Sequence, residues 1–213
     1  LEAAVKAEPG SVKWAYGLAE CLVRLKDTET AERYLKQILK TAPDFDRARN
    51  LYATILFRRN DFEAALREFI AAAEGDDLIN VKSRCEAAVC SSMLGDDVQA
   101  ARLLDEAIEE VPTYAAARFN LAWLKATSQN DAVRAGDAAL AQLAELEAGG
   151  MSSSAEFLDT KAAALASLSR FEAAAELAFE AENVAARAKQ VEFAEKIRLR
   201  RQLYEAEQRY VAR

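Results

Sequence analysis

Three cations recur at nearly constant spacing. Lys13, Arg47 and Lys82 stand 34 and 35 residues apart, and Arg24 and Arg58 stand 34 apart. Positive groups repeated in register suit a row of carboxylates along an extended chain, and a guanidinium such as that of Arg58 can hold a carboxylate through two parallel hydrogen bonds. The plainer alternative is that lysine and arginine near helix ends keep a surface hydrated. Aromatic residues offer a second kind of contact: Tyr16, Phe119 and Trp123 are either anchors for apolar side chains of a ligand or fillers between packed helices.

Other chemistries are poorly supplied. The chain has no histidine, which excludes Cys/His zinc sites and histidine-based acid-base catalysis. Cys21, Cys85 and Cys90 share no repeated short spacing, and Cys21 and Cys90, at equivalent inward positions two units apart, read as small buried apolar residues. Three unpaired thiols lean towards a reducing compartment such as the cytoplasm, although nothing else in the sequence fixes the location. The carboxylates follow no metal-loop pattern, no glycine-rich phosphate cradle is present, and GGMSSS at 149–154 reads as a turn with a serine helix cap. Lys161 has Leu18, Tyr52, Ala87 and Leu121 as its counterparts, and it lacks a partner base. It is expected to snorkel to the rim beside Asp159 or Glu156, or to mark a loosely paired unit. No catalytic residue, cofactor or metal is expected, and the chain is not read as an enzyme.

What could position the cations is a repeat. The phrase NDFEAALREFIAAAE at 60–74 returns as SRFEAAAELAFEAE at 169–182. Aligning them isolates an alanine series, Ala31, Ala65, Ala100, Ala139 and Ala174, spaced by 34, 35, 39 and 35 residues. A second series, Ala19, Ala53, Ala88, Ala122 and Ala162, precedes the first by 12 residues except in the fourth unit, where the gap is 17. Five residues are therefore inserted there, within TSQNDAVRAG. Bulkier residues follow the first series at i+4 and i+7, a stripe that marks one face of an amphipathic helix. Prolines 9, 43 and 112 follow such stripes and stop the helix. With 52% hydrophobic residues, much alanine, seven glycines and three prolines, the composition favours an all-α chain able to bury a core. Periods of this length signify stacked helix pairs.

The phased small residues, the aromatic at the second-helix start and the closing proline resemble the tetratricopeptide repeat (TPR) family across essentially the whole chain. The pattern departs from the family at Trp14, Asp77 and Lys161. The stretches FNLAWLKATSQNDAVRAGDAAL (119–140), FLDTKAAALASLSRFEAAAELAFEA (157–181) and RLRRQLYEA (198–206) also look like the closing segment of long bacterial multidomain proteins of this family. The resemblance implies a right-handed α-solenoid over 1–213. Its expected parts are a truncated repeat (1–10), repeats at 11–45, 46–80, 81–114, 115–154 and 155–187, and a C-terminal capping helix in 188–213.

In this family the first helix of each pair lines a concave groove. By register the groove then receives Lys13, Tyr16, Glu20 and Arg24; Arg47, Asn50, Thr54 and Arg58; Lys82, Cys85, Val89 and Met93; Phe119, Asn120 and Trp123; and Glu156, Asp159 and Ala163. The family's clamp for a C-terminal carboxylate needs lysine and asparagine where this chain has Tyr16, Asn50 and Cys85, so capture in that manner is not expected. In the last helix, Phe193, Ile197, Leu199, Leu203 and Tyr204 are assigned to the packed side, against Arg198, Arg201, Gln202 and Glu205.

Charge narrows the partners. Residues 1–60 carry 11 Lys/Arg and 8 Asp/Glu, residues 61–186 carry 9 and 23, and residues 187–213 carry 8 and 4, for a net −7. The acidic middle disfavours nucleic acid, while the basic ends suit an acidic peptide. The longest uncharged run, Ala87 to Gly95, is nine residues, against about 20 needed to span a bilayer. The chain opens on Leu1 within a helical pattern and shows no secretion leader, so it reads as a piece of a longer polypeptide. The expected function is a non-catalytic protein-protein interaction scaffold that holds a partner peptide or helix in the groove. The alternatives are a self-assembly module forming homo-oligomers, with Leu1, Ala4 and Val5 exposed by the truncation, and a regulatory or substrate-recruiting domain of a larger enzyme.

Overall fold

The structure is a computed structural model that describes residues 11–74, 78–151 and 154–212, with Leu78 described by its backbone alone. The expected truncated repeat at 1–10 and the departure at Asp77 lie outside the described residues. All regular structure among the described residues is α-helical, in accord with the all-α expectation. The chain divides into two compact units, one ending at Leu94 and the other beginning at Gly95.

The first unit holds α1 (Val12–Arg24), α2 (Thr28–Thr41), α3 (Asp46–Arg58), α4 (Phe62–Ala72) and α5 (Leu78–Met93). The helix α5 begins three residues before the boundary at 81 that the repeat period suggests. Each helix packs on its successor, and α3 also packs on α1 and α5. The stripes explain why. Ala31, Leu35 and Ile38 on α2, and Ala65, Phe69 and Ala72 on α4, are all buried, and Ala19 and Ala53 on the first helices are fully so. The alanines let backbones approach, while each large side chain taken from water, such as Leu35 or Phe69, contributes about 1.5–3 kcal/mol.

Tight turns within the pairs have a local cause. Two residues past the ends of α1 and α3, Lys26 and Asn60 take left-handed backbone (φ 65 and 62). The next N–H groups, of Asp27 and Asp61, then bond back to Leu22 O and Leu56 O at 2.9 and 3.1 Å. This pattern satisfies carbonyls that the helix end would otherwise leave open. The same aspartates cap the following helix, accepting from Thr30 N and Ala64 N, each at 3.2 Å.

The second unit holds α6 (Asp97–Glu110), α7 (Ala115–Thr127), α8 (Gly136–Ala148), α9 (Ala155–Ser167), α10 (Phe171–Arg187) and α11 (Val191–Glu205). Its stripes are also buried: Ala100, Leu104 and Ala107; Ala139, Leu143 and Leu146; Ala174, Ala178 and Ala181. Ser154 caps α9 by accepting from Phe157 N at 3.1 Å, as the GGMSSS reading anticipates.

The turn from α7 to α8 differs because of its extra residues. Ser128 donates its hydroxyl to Asp97, Arg134 donates to Ser128 O at 2.9 Å and pairs with Asp131, and Val133 is buried. The insertion is thus folded onto its own unit. Where α8 starts, Gly136 faces the end of α9: a Cβ there would stand 2.6 Å from Leu168 Cγ and 2.9 Å from Ala164 O, and would also meet Ser167 Oγ. Only glycine fits that approach without displacing a neighbour.

Candidate partner-binding faces

In the first unit the first helices α1, α3 and α5 carry the cations at matching heights, because 34- and 35-residue spacings return each to the same place on its helix. Lys13, Arg24, Arg47, Arg58 and Lys82 are all exposed. Arg24, Arg47 and Arg58 form no ion pair among the described residues. Lys13 lies 5.9 Å over the Trp14 ring, and Lys82 reaches Glu86, one turn along, only at 3.9 Å. The face is not purely basic. Burial raises the Glu86 carboxyl above its ordinary range while the Lys82 and Arg58 charges oppose that rise. Val89 and Met93 add apolar surface, 36% and 50% exposed.

Tyr16 is half-buried, donates its hydroxyl to Glu20 at 3.2 Å, and meets Phe45 edge-on at 5.2 Å. Burial, with the Glu20 charge behind it, pushes the phenol up to about 12. Beside it opens a pocket of about 670 Å³ lined by Lys13, Glu20, Phe45 and Arg47.

Two residues read as groove-facing are buried instead. Asn50 donates to Ser83 Oγ at 2.9 Å, tying α3 to α5, and its carbonyl accepts from the half-buried Thr54 hydroxyl at 2.9 Å. Cys85 is packed inside the unit, and burial pushes its thiol, like that of Cys90, up to about 12. Cys21 is only half-buried, short of the full burial read for it.

A second arginine series escaped the sequence reading. Arg49 donates to Pro43 O at 2.7 Å and to Glu68 at 2.9 Å. In the second unit Arg118 donates to Pro112 O at 2.9 Å and to Gln142 at 2.8 Å. Each lies six residues after its proline and pins the turn between pairs. The partners are 19 and 24 residues on, and the difference is the five-residue insertion. An arginine at fixed distance after a helix-stopping proline was the available signal.

In the second unit Phe119 acts as a filler, packed with Ala122, Leu143, Leu146 and Phe157. Asn120 beside it is half-buried. Lys161 pairs with Glu147 at 3.4 Å, not with Asp159 or Glu156, and so leans across to α8. Ala163 is buried, and so is Asp159, which is 1% exposed. Asp159 is held by Arg200 of α11 in a two-bond pair, Nε to Oδ1 at 2.9 Å and the second nitrogen to Oδ2 at 2.6 Å. Burial raises the carboxyl while Arg200 pulls against it.

Leu199, assigned to the packed side of the last helix, is 55% exposed, and Arg200 takes the inward position at 7%. The steps from Phe193 to Ile197, Arg200 and Tyr204 are four, three and four residues, the period of a packed stripe. A charge at such a position, with an opposite charge at an inner position of the previous repeat, was the sign that reading missed. With its edge committed to Asp159, the guanidinium offers its faces to rings: Trp123 at 5.5 Å, Phe193 at 5.9 Å and Tyr210 at 5.3 Å.

Among the described residues no helix is long and apolar enough to cross a membrane, and no group of carboxylates and thiols converges to hold a metal ion. The sequence profile of the tetratricopeptide repeat matches residues 1–55 and again 24–83. No curated protein matches the chain. Solved structures share the fold at low identity. YrrB, a tetratricopeptide repeat protein with an unusual peptide-binding site, superposes with a TM-score of 0.65 at 18% identity over 89% of this chain and 97% of its own. The Pseudomonas aeruginosa protein PilF gives 0.71 at 15% identity over 89% and 85%. A thermophilic protein of the same repeat class from Thermus thermophilus gives 0.60 at 19% identity over 92% and 100%.

Proposed function

We propose that the chain, whose residues 1–83 match the profile of the tetratricopeptide repeat, acts as a protein-protein interaction scaffold and binds an acidic partner segment on the α1/α3/α5 face of its first unit. The observation that carries this reading is the exposed, register-matched set Lys13, Arg47, Arg58 and Lys82, of which the two arginines form no ion pair among the described residues. Arginine in this state retains its full two-bond capacity for a carboxylate. Val89, Met93 and the pocket beside Tyr16 supply apolar contact next to the charges, and contact of that kind contributes affinity where exposed ion pairs alone contribute little. Glu20 and Glu86 between the cations favour a ligand with spaced, rather than continuous, carboxylates. YrrB, which shares the fold, has a peptide-binding site.

The test pairs labelled peptides of repeating Glu-Ala-Leu and Lys-Ala-Leu composition with the chain and with its Arg47→Glu, Arg58→Glu variant. The acidic peptide should bind the unsubstituted chain, lose about tenfold or more in affinity with the variant, and weaken as salt rises. Equal affinity for both peptides, or an acidic peptide indifferent to the reversal in a variant with unchanged helical circular dichroism, would remove the assignment.

A further inference from the structure

After α11 the chain does not run out into solvent. Glu207 takes a left-handed backbone (φ 56) and Gln208 N–H bonds back to Leu203 O at 2.8 Å, which closes the helix and reverses the direction of the chain. The following residues lie on the second unit at Trp123, which the sequence offers either as an anchor for a ligand's apolar side chain or as a filler between helices. Tyr210 stands 6.0 Å from the Trp123 ring and 5.3 Å from the Arg200 guanidinium. Two residues further on, both backbone groups of Ala212 are taken: its N–H donates to Thr127 O at 3.0 Å and its carbonyl accepts from Gln129 Nε2 at 3.1 Å.

These contacts have the form of peptide recognition. One ring is read on a platform, and one residue is held through its main chain by an open helix-end carbonyl and a side-chain amide. The Thr127 carbonyl is free to accept because the chain leaves α7 there for the inserted turn, and Gln129 belongs to that same turn. The platform is preorganised, because Asp159 fixes the Arg200 guanidinium from behind by two hydrogen bonds. Preorganisation lowers the cost of receiving a ring. The spacing selects an aromatic residue followed two positions later by a small residue with a free N–H.

We propose that Trp123, Thr127, Gln129 and Arg200 form a peptide site for an extended aromatic-x-small segment, filled in this chain by its own residues 208–212, which a partner segment of the same pattern must displace. The site lies in the second unit and uses none of the cations of the first, so its fate is independent of the acidic-peptide reading. A cis segment docked nine-tenths of the time would weaken a competing peptide about tenfold.

The probe is a fluorescein-labelled synthetic peptide, AEQRYVAR, identical to residues 206–213. The full chain carrying Tyr210→Ala and Ala212→Pro loses the ring and the N–H that dock the segment. This variant should bind the probe about tenfold or more tightly than the unsubstituted chain does. Replacing the tyrosine of the probe with alanine should abolish binding, as should adding Trp123→Ala to the variant. Absence of saturable binding to a variant that keeps its helical circular dichroism, or equal affinity for the two chains, overturns the proposal. Should the variant not fold, amide hydrogen exchange in the unsubstituted chain decides. Saturating probe should speed exchange at Ala212, and exchange indifferent to the probe overturns the site.

Discussion

The two units use one repeat to opposite ends on their first-helix faces. In the first, Arg47 and Arg58 stay in water without ion pairs among the described residues, and a half-buried tyrosine lines a pocket. In the second, a cation is drawn inside: Arg200 is buried on Asp159, has three ring centroids within 5.9 Å, and is approached by the chain's own Tyr210. An exposed guanidinium contributes little to stability and remains available to a ligand, whereas a buried one is committed to structure and its loss is costly. Side-chain placement, rather than repeat architecture, therefore separates an exposed basic surface from one whose charge is buried and covered by its own chain.

The sharpest way to break this contrast is to remove one half of the buried pair. Asp159→Ala leaves the Arg200 guanidinium inside without its counter-charge and should cost the second unit about 3–5 kcal/mol. Urea unfolding followed by Trp123 fluorescence in a Trp14→Phe background would read it, since the chain has only these two tryptophans. Arg47→Ala on the open face should shift stability by less than about 0.5 kcal/mol. A similar small cost for Asp159→Ala would mean that the pair is solvated and that the two faces are alike. Next in size, Gly136→Ala forces a Cβ against Leu168 and the Ala164 carbonyl and should cost about 1–3 kcal/mol. The same measurement checks it, and a neutral result would show that the inserted turn can yield.

Much of the fold was legible because it is written repeatedly. Ala31, Ala65, Ala100, Ala139 and Ala174 are all buried as their spacing requires, since a helix pair tolerates only a small residue at its closest approach. The five-residue insertion was legible for the same reason. The faces were less so, because they depend on single residues. Asn50 has the polarity of a groove residue, but Ser83 on the next helix satisfies it and draws it inside. Arg200 sits in a run of basic residues that reads as exterior, and only Asp159, 41 positions away, makes its burial tolerable. The segment after α11 carries no periodicity at all, so nothing local announces that Tyr210 returns to Trp123.

The mildest test of the comparison concerns the floor of the open face. All three cysteines lie in the first unit, and burial pushes the thiols of Cys85 and Cys90 up to about 12. For such acids the folded state keeps its protons at a pH where the unfolded chain has released them. Stability is accordingly complete below the ordinary thiol range and is lost as pH rises through it towards the folded value. Between about pH 9 and 12 each thiol should cost about 1.4 kcal/mol per pH unit, and little should change between pH 6 and 8. Urea midpoints across that range, compared with a Cys85→Ala, Cys90→Ala variant, isolate the contribution. A variant with the same alkaline slope would assign the loss to other groups, Tyr16 first among them, whose phenol is also held up to about 12.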